Sequence, residues 1–375
     1  MPAFRTVTDS ARPLRVIQIG AVGLAEAWID AARESPDVEI VAMVDEDPTA
    51  ARAGAVRYGA PDLTIAPDLS MAARETRPDA VIVVAPPLSP LAVTPRIVMF
   101  GLPVLTEQPL AANVTEALSL AAASELTGEL FMVAQDRRHD DNLQAFRQHA
   151  GLLGRVGILS SLFARAPQFG GFQEEMPDPL LSDMAIHSFD TARFLLGADP
   201  LAVYCESYNP SWSRFAGDAA AMAIFEFPDG ARYNYDGSWA SPGLETSWNG
   251  SWRITGERGS AVWDGDHAPH SEVDGRPGMP GPLQTRGRDI RGSLASFVHA
   301  LRTGETPDGE VRNTVMSLAM VEAAIASKTL HRRVKIDALL DSALEQAIVY
   351  EKQHDVLRRL QSWGSARPAL ERTAG

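Results

Sequence analysis

The stretch from Leu14 to Asp45 constrains this chain more than any other. Leu14 to Ile19 is a short apolar run, and Gly20-Ala21-Val22-Gly23-Leu24-Ala25 is a glycine-containing turn. Glu26 to Arg33 reads as a helix closed by Ser35-Pro36, and Val38 to Val44 is a second apolar run ending at Asp45. Unbroken apolar runs of this length fit strands buried on both faces, and two of them joined by a helix make a βαβ unit. The pattern continues with a helix after Asp47-Pro48, a buried strand at Ala80 to Ala85, a helix near Leu91 to Phe100 and a short strand from Val104 to Glu107. Asn113 with Glu116 forms a capping box for a helix reaching Gly128, and Leu130 to Ala134 is another strand. This alternation predicts a parallel, doubly wound sheet with right-handed crossovers, an α/β fold.

Past about Gly151 the period shortens. Arg155 to Arg165, Leu201 to Tyr208, Ala219 to Phe227 and Ala231 to Trp239 alternate as long strands, the last two joined at Pro228-Asp229-Gly230. Trp252 to Thr255 and Ser260 to Trp263 form a second hairpin around Glu257-Arg258-Gly259. The second domain is therefore a largely antiparallel sheet with one helix inserted at Ser182 to Leu196. A Gly/Pro-rich loop spans His267 to Gly287, read as mobile or covered by a partner, and helices return at Ile290 to Arg302 and Val311 to Leu330. Asp341 to Gln361 reads as one last amphipathic helix. The expected domains are 1–140, 141–341 and a helical extension over 342–375.

With 34 basic and 48 acidic residues the net charge is −14, which repels phosphate backbones and argues against nucleic-acid binding. The apolar run Ala80 to Pro87 is too short to span a bilayer, and the N-terminus lacks a secretory apolar region, so a cytoplasmic protein with no membrane partner is expected. A single cysteine, Cys205, forms neither an intrachain disulfide nor a cysteine-based zinc site. The lysines are Lys328, Lys335 and Lys352 alone, so lysine chemistry is closed to residues 1–327.

In a dinucleotide turn the first glycine permits the tight bend, the second admits the pyrophosphate, and the third position is small for helix packing. Here Gly20 keeps the first and Ala25 the third, while Val22 puts a β-branched side chain where the diphosphate passes closest; Gly23 beside it lets the backbone adjust. The helix N-terminus still offers N–H donors. Asp45, ending the second strand, suits ribose hydroxyls and repels a 2′-phosphate, which favours NAD over NADP. A nucleotide-free α/β protein carrying a glycine turn is the competing reading.

Asp183 and His187 lie four residues apart in the inserted helix, with Ser182 as N-cap and Gly197 just past the end. One face of a helix would carry both, and a carboxylate one turn from an imidazole orients the ring for general-base work. A salt-bridged surface pair has the same spacing.

Taken together, Gly20 to Ala25, Asp45, Ala80 to Pro87, Glu107-Gln108-Pro109-Leu110, Arg137-Arg138, Asp183 with His187, and Trp248 to Gly256 resemble the glucose-fructose oxidoreductase and inositol dehydrogenase family, written Gfo/Idh/MocA, over about Leu14 to Ile336. The resemblance implies an N-terminal Rossmann domain, a C-terminal α+β domain with an open-faced sheet that forms a homodimer or homotetramer, and NAD(P)-dependent redox chemistry on a sugar, cyclitol or similar polyhydroxylated or keto substrate. It implies cofactor contacts at Gly20, Val22, Gly23, Leu24, Asp45, Pro86 and Glu107, and catalytic roles for His187, Asp183 and Gln108. The family's Glu-Lys-Pro motif, whose lysine reaches the nicotinamide ribose and the substrate hydroxyl, reads Glu107-Gln108-Pro109 here, and Pro90 stands about where many members carry a histidine. Gln108 hydrogen-bonds but carries no charge and relays no proton. A non-redox member, used for binding or assembly or as an NAD-assisted lyase or glycosidase, is therefore the alternative.

Five tryptophans, Trp212, Trp239, Trp248, Trp252 and Trp263, fall in the second domain, where they stack on sugars or fill core and subunit contacts. His267 and His270 have no cysteine partner, and no metal site is expected. Arg137-Arg138 and Glu174-Glu175 read as solvated charge pairs, the arginines at a strand end facing the cleft.

Overall fold

The computed structural model describes residues 4–7, 9, 11–85, 92–283 and 287–371. The first elements are β1 (Leu14–Ile19), α1 (Leu24–Glu34), β2 (Val38–Val44), α2 (Pro48–Tyr58), β3 (Thr64–Ala66), α3 (Leu69–Thr76), β4 (Ala80–Val83), α4 (Pro95–Val98), β5 (Val104–Thr106), α5 (Val114–Thr127) and β6 (Phe131–Val133). Next come α6 (Asp141–Gly151), β7 (Val156–Ala164), α7 (Phe172–Glu175), α8 (Ile186–Leu196), β8 (Ala202–Tyr208), β9 (Ala220–Glu226), β10 (Arg232–Ser238), β11 (Ser251–Gly256), β12 (Gly259–Trp263), β13 (His270–Val273) and β14 (Arg276–Pro277). The chain ends with α9 (Asp289–Thr303), α10 (Val311–Leu330), β15 (Val334–Lys335), α11 (Ile336–Tyr350), α12 (His354–Gln361) and α13 (Ala366–Glu371). Two compact units result: Met1–Asp136 with Arg286–Val315 and Asp341–Gly375, and Arg137–Thr285 with Met316–Leu340.

The first unit holds a six-stranded sheet in the order β3-β2-β1-β4-β5-β6, parallel at every pairing. The order reverses between β1 and β4, and a crevice at the carboxyl ends of strands around such a switch point is where open α/β sheets bind ligands. Trp28 and Ile29 of α1 share one core with Leu294, Phe297 and Leu301 of α9 and with Val16, Ile82 and Leu105 of the strands. Residues 287–315 thus belong with the parallel sheet, not with a continuous 141–341 segment. An apolar helical stripe shows that a helix packs, not on which sheet.

The Asn113 cap is built as its sequence suggests: Glu116 N–H donates to Asn113 Oδ1 at 2.9 Å, and Asn113 Nδ2 donates to Glu116 Oε1 at 3.1 Å. The helix expected near 91–100 is only α4, started by Pro95 after the Thr94 cap. The single helix expected over 341–361 is two, α11 and α12, parted where Glu351 Oε1 accepts the Gln353 N–H and turns the chain. Near the C-terminus, Arg359 and Trp363 Nε1 both bond to Glu125 of α5.

The second unit holds a nine-stranded sheet in the order β14-β13-β12-β11-β7-β10-β9-β8-β15, with β7 and β10 parallel and the other pairs antiparallel. One face is covered by α8, whose Phe189 ring meets Phe225 edge-on at 4.7 Å and Tyr235 at 5.2 Å. The other face exposes Ile158, Leu162, Tyr204, Met222 and Ile224. Part of the segment read as a loop over 267–287 is the hairpin β13–β14, turned at Asp274 (φ 51°) and Gly275 (φ 74°). An Asp-Gly pair of this kind is a hairpin signal the loop reading overlooked.

Candidate functional site

At the start of α1 the chain turns through Gly20 at φ 85°, and a Cβ there would lie 2.2 Å from the Val84 carbonyl oxygen. Only glycine fits. Gly23 (φ 65°) caps α1 without a side-chain bond, and a Cβ on it would meet nothing within 4 Å. Val22 is 60% exposed and Leu24 54%, so neither side chain fills the turn from inside. The start of α1 has no side-chain cap, a donor set suited to a dinucleotide phosphate, and the exposed Val22 stands beside it.

Asp45 Oδ2 accepts the Ala21 N–H at 2.9 Å and Oδ1 the Asp47 N–H at 3.0 Å, tying the glycine turn to the end of β2. Each carboxylate oxygen keeps a second lone pair for a hydroxyl donor. Ile19 and Val44, at the ends of β1 and β2, also line a hollow of about 680 Å³ with Asp68, Arg74, Arg96 and Phe100. Below the turn sits buried Gln18, whose Nε2 donates to the Gly20 carbonyl at 3.0 Å and to that of Ile19 at 3.3 Å. Sequence reasoning passed over Gln18, although a lone amide in an apolar strand is a signal. Pro86 and Pro90 lie outside the described residues.

At the end of β5, Glu107 Oε1 accepts the Trp28 indole N–H at 2.6 Å and Oε2 accepts the Gln108 N–H at 3.2 Å. Burial and the charge of Asp136 push the Glu107 carboxyl up to about 7, against the downward pull of those two donors. Glu107 exchanges a proton near neutrality, which its neutral neighbour Gln108 cannot do.

In the second unit the segment before α8 is a π-helical turn, Leu180–Ala185, and the α-helix proper starts at Ile186 after Ala185. Ser182 is therefore not an N-cap; its N–H donates to the Asp178 carbonyl at 2.9 Å. The Gly197 C-cap is formed in the left-handed conformation. A π turn winds wider than an α turn, so a spacing of four does not stack side chains as it would on an α-helix. Among the described residues no hydrogen bond links Asp183 to His187, and Asp183 is exposed. Burial and the charge of Arg137 drive His187 down to about 3, with Asp190 opposing them, so the imidazole is neutral at physiological pH.

Arg137 donates from Nη1 to the Trp248 carbonyl at 2.9 Å and approaches Met184 Sδ at 3.6 Å. The Arg165 guanidinium lies 4.4 Å from the centre of the Trp248 ring and pairs with Glu245 at 2.9 Å. Trp248 and Trp212 are exposed, whereas Trp239, Trp252 and Trp263 are buried core residues. Arg138, read as solvated, is instead buried, donating to both Asp190 oxygens at 2.8 Å. Burial alone would raise Asp190, but Arg138, Arg193 and the Ser317 hydroxyl outweigh it and hold the carboxyl below its ordinary value. His267 pairs with Asp264 at 2.8 Å, and among the described residues no group of three or more His, Cys, Asp or Glu is arranged to hold a metal. No described helix is long and apolar enough to cross a membrane.

Two family models match the chain: an oxidoreductase family NAD-binding Rossmann fold over residues 14–135, and a GFO/IDH/MocA C-terminal domain over 147–262. Similar proteins include one named inositol 2-dehydrogenase from Rhizobium meliloti, 25% identical over 85% of this chain and 98% of its own. The rhizopine catabolism protein MocA of Rhizobium meliloti is 27% identical over 82% of this chain and 92% of its own. An oxidoreductase from Agrobacterium radiobacter, solved with NAD+, L-tartaric acid and magnesium, shares the fold at TM-score 0.77 and 20% identity, covering 87% of this chain and 99% of that one.

Proposed function

The chain belongs to the GFO/IDH/MocA oxidoreductases, with an NAD-binding Rossmann domain at its N-terminus, and from that premise we propose that it is an NAD-dependent dehydrogenase of a sugar, cyclitol or related polyhydroxylated or keto substrate. The observation that carries this reading is the glycine turn at Gly20 and the uncapped start of α1, tied to Asp45 at the end of β2, the donor and acceptor set of a dinucleotide site. His187, neutral in the free protein and held weakly basic by burial and Arg137, is assigned the substrate hydroxyl proton. The names of the relatives, inositol 2-dehydrogenase among them, support the substrate class.

When bound, NAD supplies the two-electron chemistry. Gly20 and Gly23 shape the phosphate turn, with Val22 and Leu24 contributing backbone, and Asp45 receives ribose hydroxyls, disfavouring NADP. His187 takes up the hydroxyl proton, and Arg137 near it stabilises the oxygen as it gains negative charge. Asp183, free of a bond to His187, serves as a substrate hydroxyl acceptor at the same helix start. Gln108 offers a neutral hydrogen bond where relatives of this family carry a lysine, so turnover is expected to be slow. Trp248, held by Arg137 and Arg165, presents an aromatic face to a sugar ring.

Gln108 also favours a second reading, in which NAD is retained without exchange and the protein binds, assembles or performs NAD-assisted lyase or glycosidase chemistry. Under either reading the exposed apolar face of the second sheet pairs two or four copies. Titration of the purified protein with NAD and NADP tests the cofactor half: NAD is expected to bind and NADP to bind more weakly. No binding of either would leave only a scaffold role.

A further inference from the structure

Relative to other charges, Glu107 is held in an unusual place. Its carboxylate stands at the carboxyl end of β5, in the β4–β6 half of the sheet, and in a doubly wound sheet each half receives one mononucleotide of a dinucleotide. The first half, with the glycine turn and Asp45, takes the adenosine side, which leaves the nicotinamide side to the half that carries Glu107. Two donors from different elements, the Trp28 indole of α1 and the Gln108 backbone, fix both oxygens. The neighbour at 108 is neutral, residues 1–327 contain no lysine, and among the described residues Glu107 makes no ion pair. The charged group that bears on it is Asp136, from the segment after β6, and that charge is also negative.

We propose that Glu107 makes this site select the oxidised form of the cofactor, binding the positively charged pyridinium ring of NAD+ in preference to the uncharged dihydropyridine of NADH. The proposal rests on the NAD-binding reading above. A fixed carboxylate in a poorly hydrated site attracts a cationic ring strongly and a neutral ring hardly at all. The lysine usual in this family would cancel that preference; Gln108 leaves it in force. Since burial and Asp136 place the Glu107 carboxyl near neutrality, the preference is also switched by pH: the carboxylate that attracts the ring forms as pH rises through about 7.

The test is calorimetric titration of the full chain with NAD+, NADH and ADP-ribose, which lacks the nicotinamide, on both sides of neutrality. The wild type is expected to bind NAD+ more tightly as pH rises, with NADH and ADP-ribose unchanged. Glu107→Gln keeps an oxygen for the Trp28 indole and is expected to weaken NAD+ about tenfold without moving NADH or ADP-ribose. Should the variant misfold, the wild-type ratio of NAD+ to NADH affinity decides. A wild-type NAD+ to NADH affinity ratio near one, or a Glu107→Gln protein with the parent's ratio, overturns the selection of redox form while leaving NAD binding intact; a large ratio that stays constant across this range overturns the pH switch alone. A wild type that binds none of the three overturns the NAD reading and this inference with it.

Discussion

The indole of Trp28 donates to Glu107 at 2.6 Å, so the helix that opens at the glycine turn also holds the carboxylate at the end of β5. Trp28 is fully buried and its hydrogen bond lowers the Glu107 pKa. Trp28→Phe keeps most of the ring and removes the donor. Stability is expected to fall by about 2–4 kcal/mol, from the lost charge-assisted bond and the smaller ring. The pH at which NAD+ affinity rises should move upward, read by repeating the titration on the variant; an unmoved midpoint would show that the indole does not set the carboxyl's acidity.

Gln108→Lys introduces an ammonium beside Glu107. It is expected to raise turnover on any polyol the parent oxidises and to pull the Glu107 carboxyl down toward the ordinary carboxylate range. Steady-state rates measured with both proteins across pH check this. A lysine variant no faster than the parent would mean that position 108 does not limit the reaction.

Asp190 is the hub of a buried network, accepting from Arg138, from Ser317 Oγ at 2.7 Å and lying 3.7 Å from Arg193. Removing one partner of such a network strands its charges. Asp190→Ala is expected to cost about 3–5 kcal/mol in urea unfolding. A loss under about 1 kcal/mol would show that water reaches Arg138 and replaces the carboxylate.

His187 and Glu107 pull the pH dependence of stability in opposite directions. His187 falls from 6.5 to about 3 on folding, so between those values the unfolded chain holds a proton the folded one lacks, and stability drops as pH falls from 6.5. Glu107 rises from 4.5 to about 7, so the folded chain holds the extra proton there, and its contribution is lost as pH rises through about 7. Relative to wild type, Glu107→Gln should lose melting temperature on acidification below 6.5, and His187→Gln should gain it. Melting curves over this range decide; parallel curves for all three proteins would contradict both shifts.

Much of the fold is legible in the sequence. The βαβ period fixed β1 and β2 to the residue, the Pro228-Asp229-Gly230 turn joined β9 to β10, and the capping box at Asn113 formed as spelled. β3 is missing from the sequence reading because, of its three residues, only Ala66 is buried, whereas the equally short β5 and β6 are wholly buried. The assignment of α9 to the first unit depends on which sheet its stripe meets, a long-range fact that local pattern does not hold. For the proposed site, residue types single out Gly20, Asp45, Glu107 and His187, whereas pairing Asp183 with His187 assumes α geometry where a π turn stands. The burial of Arg138, and the hold of Arg137 and Arg165 on Trp248, come from contacts between distant segments.

The most direct measurement is nicotinamide absorbance while the wild type and His187→Gln are offered NAD+ with a panel of cyclitols, aldoses and sugar acids. Reduction of NAD+ by wild type on at least one substrate is expected, with rates in His187→Gln lower by about two to four orders of magnitude and NAD+ affinity unchanged. Equal rates in the two proteins, or no absorbance change with any substrate despite bound NAD+, would contradict a dehydrogenase that uses this imidazole as its base.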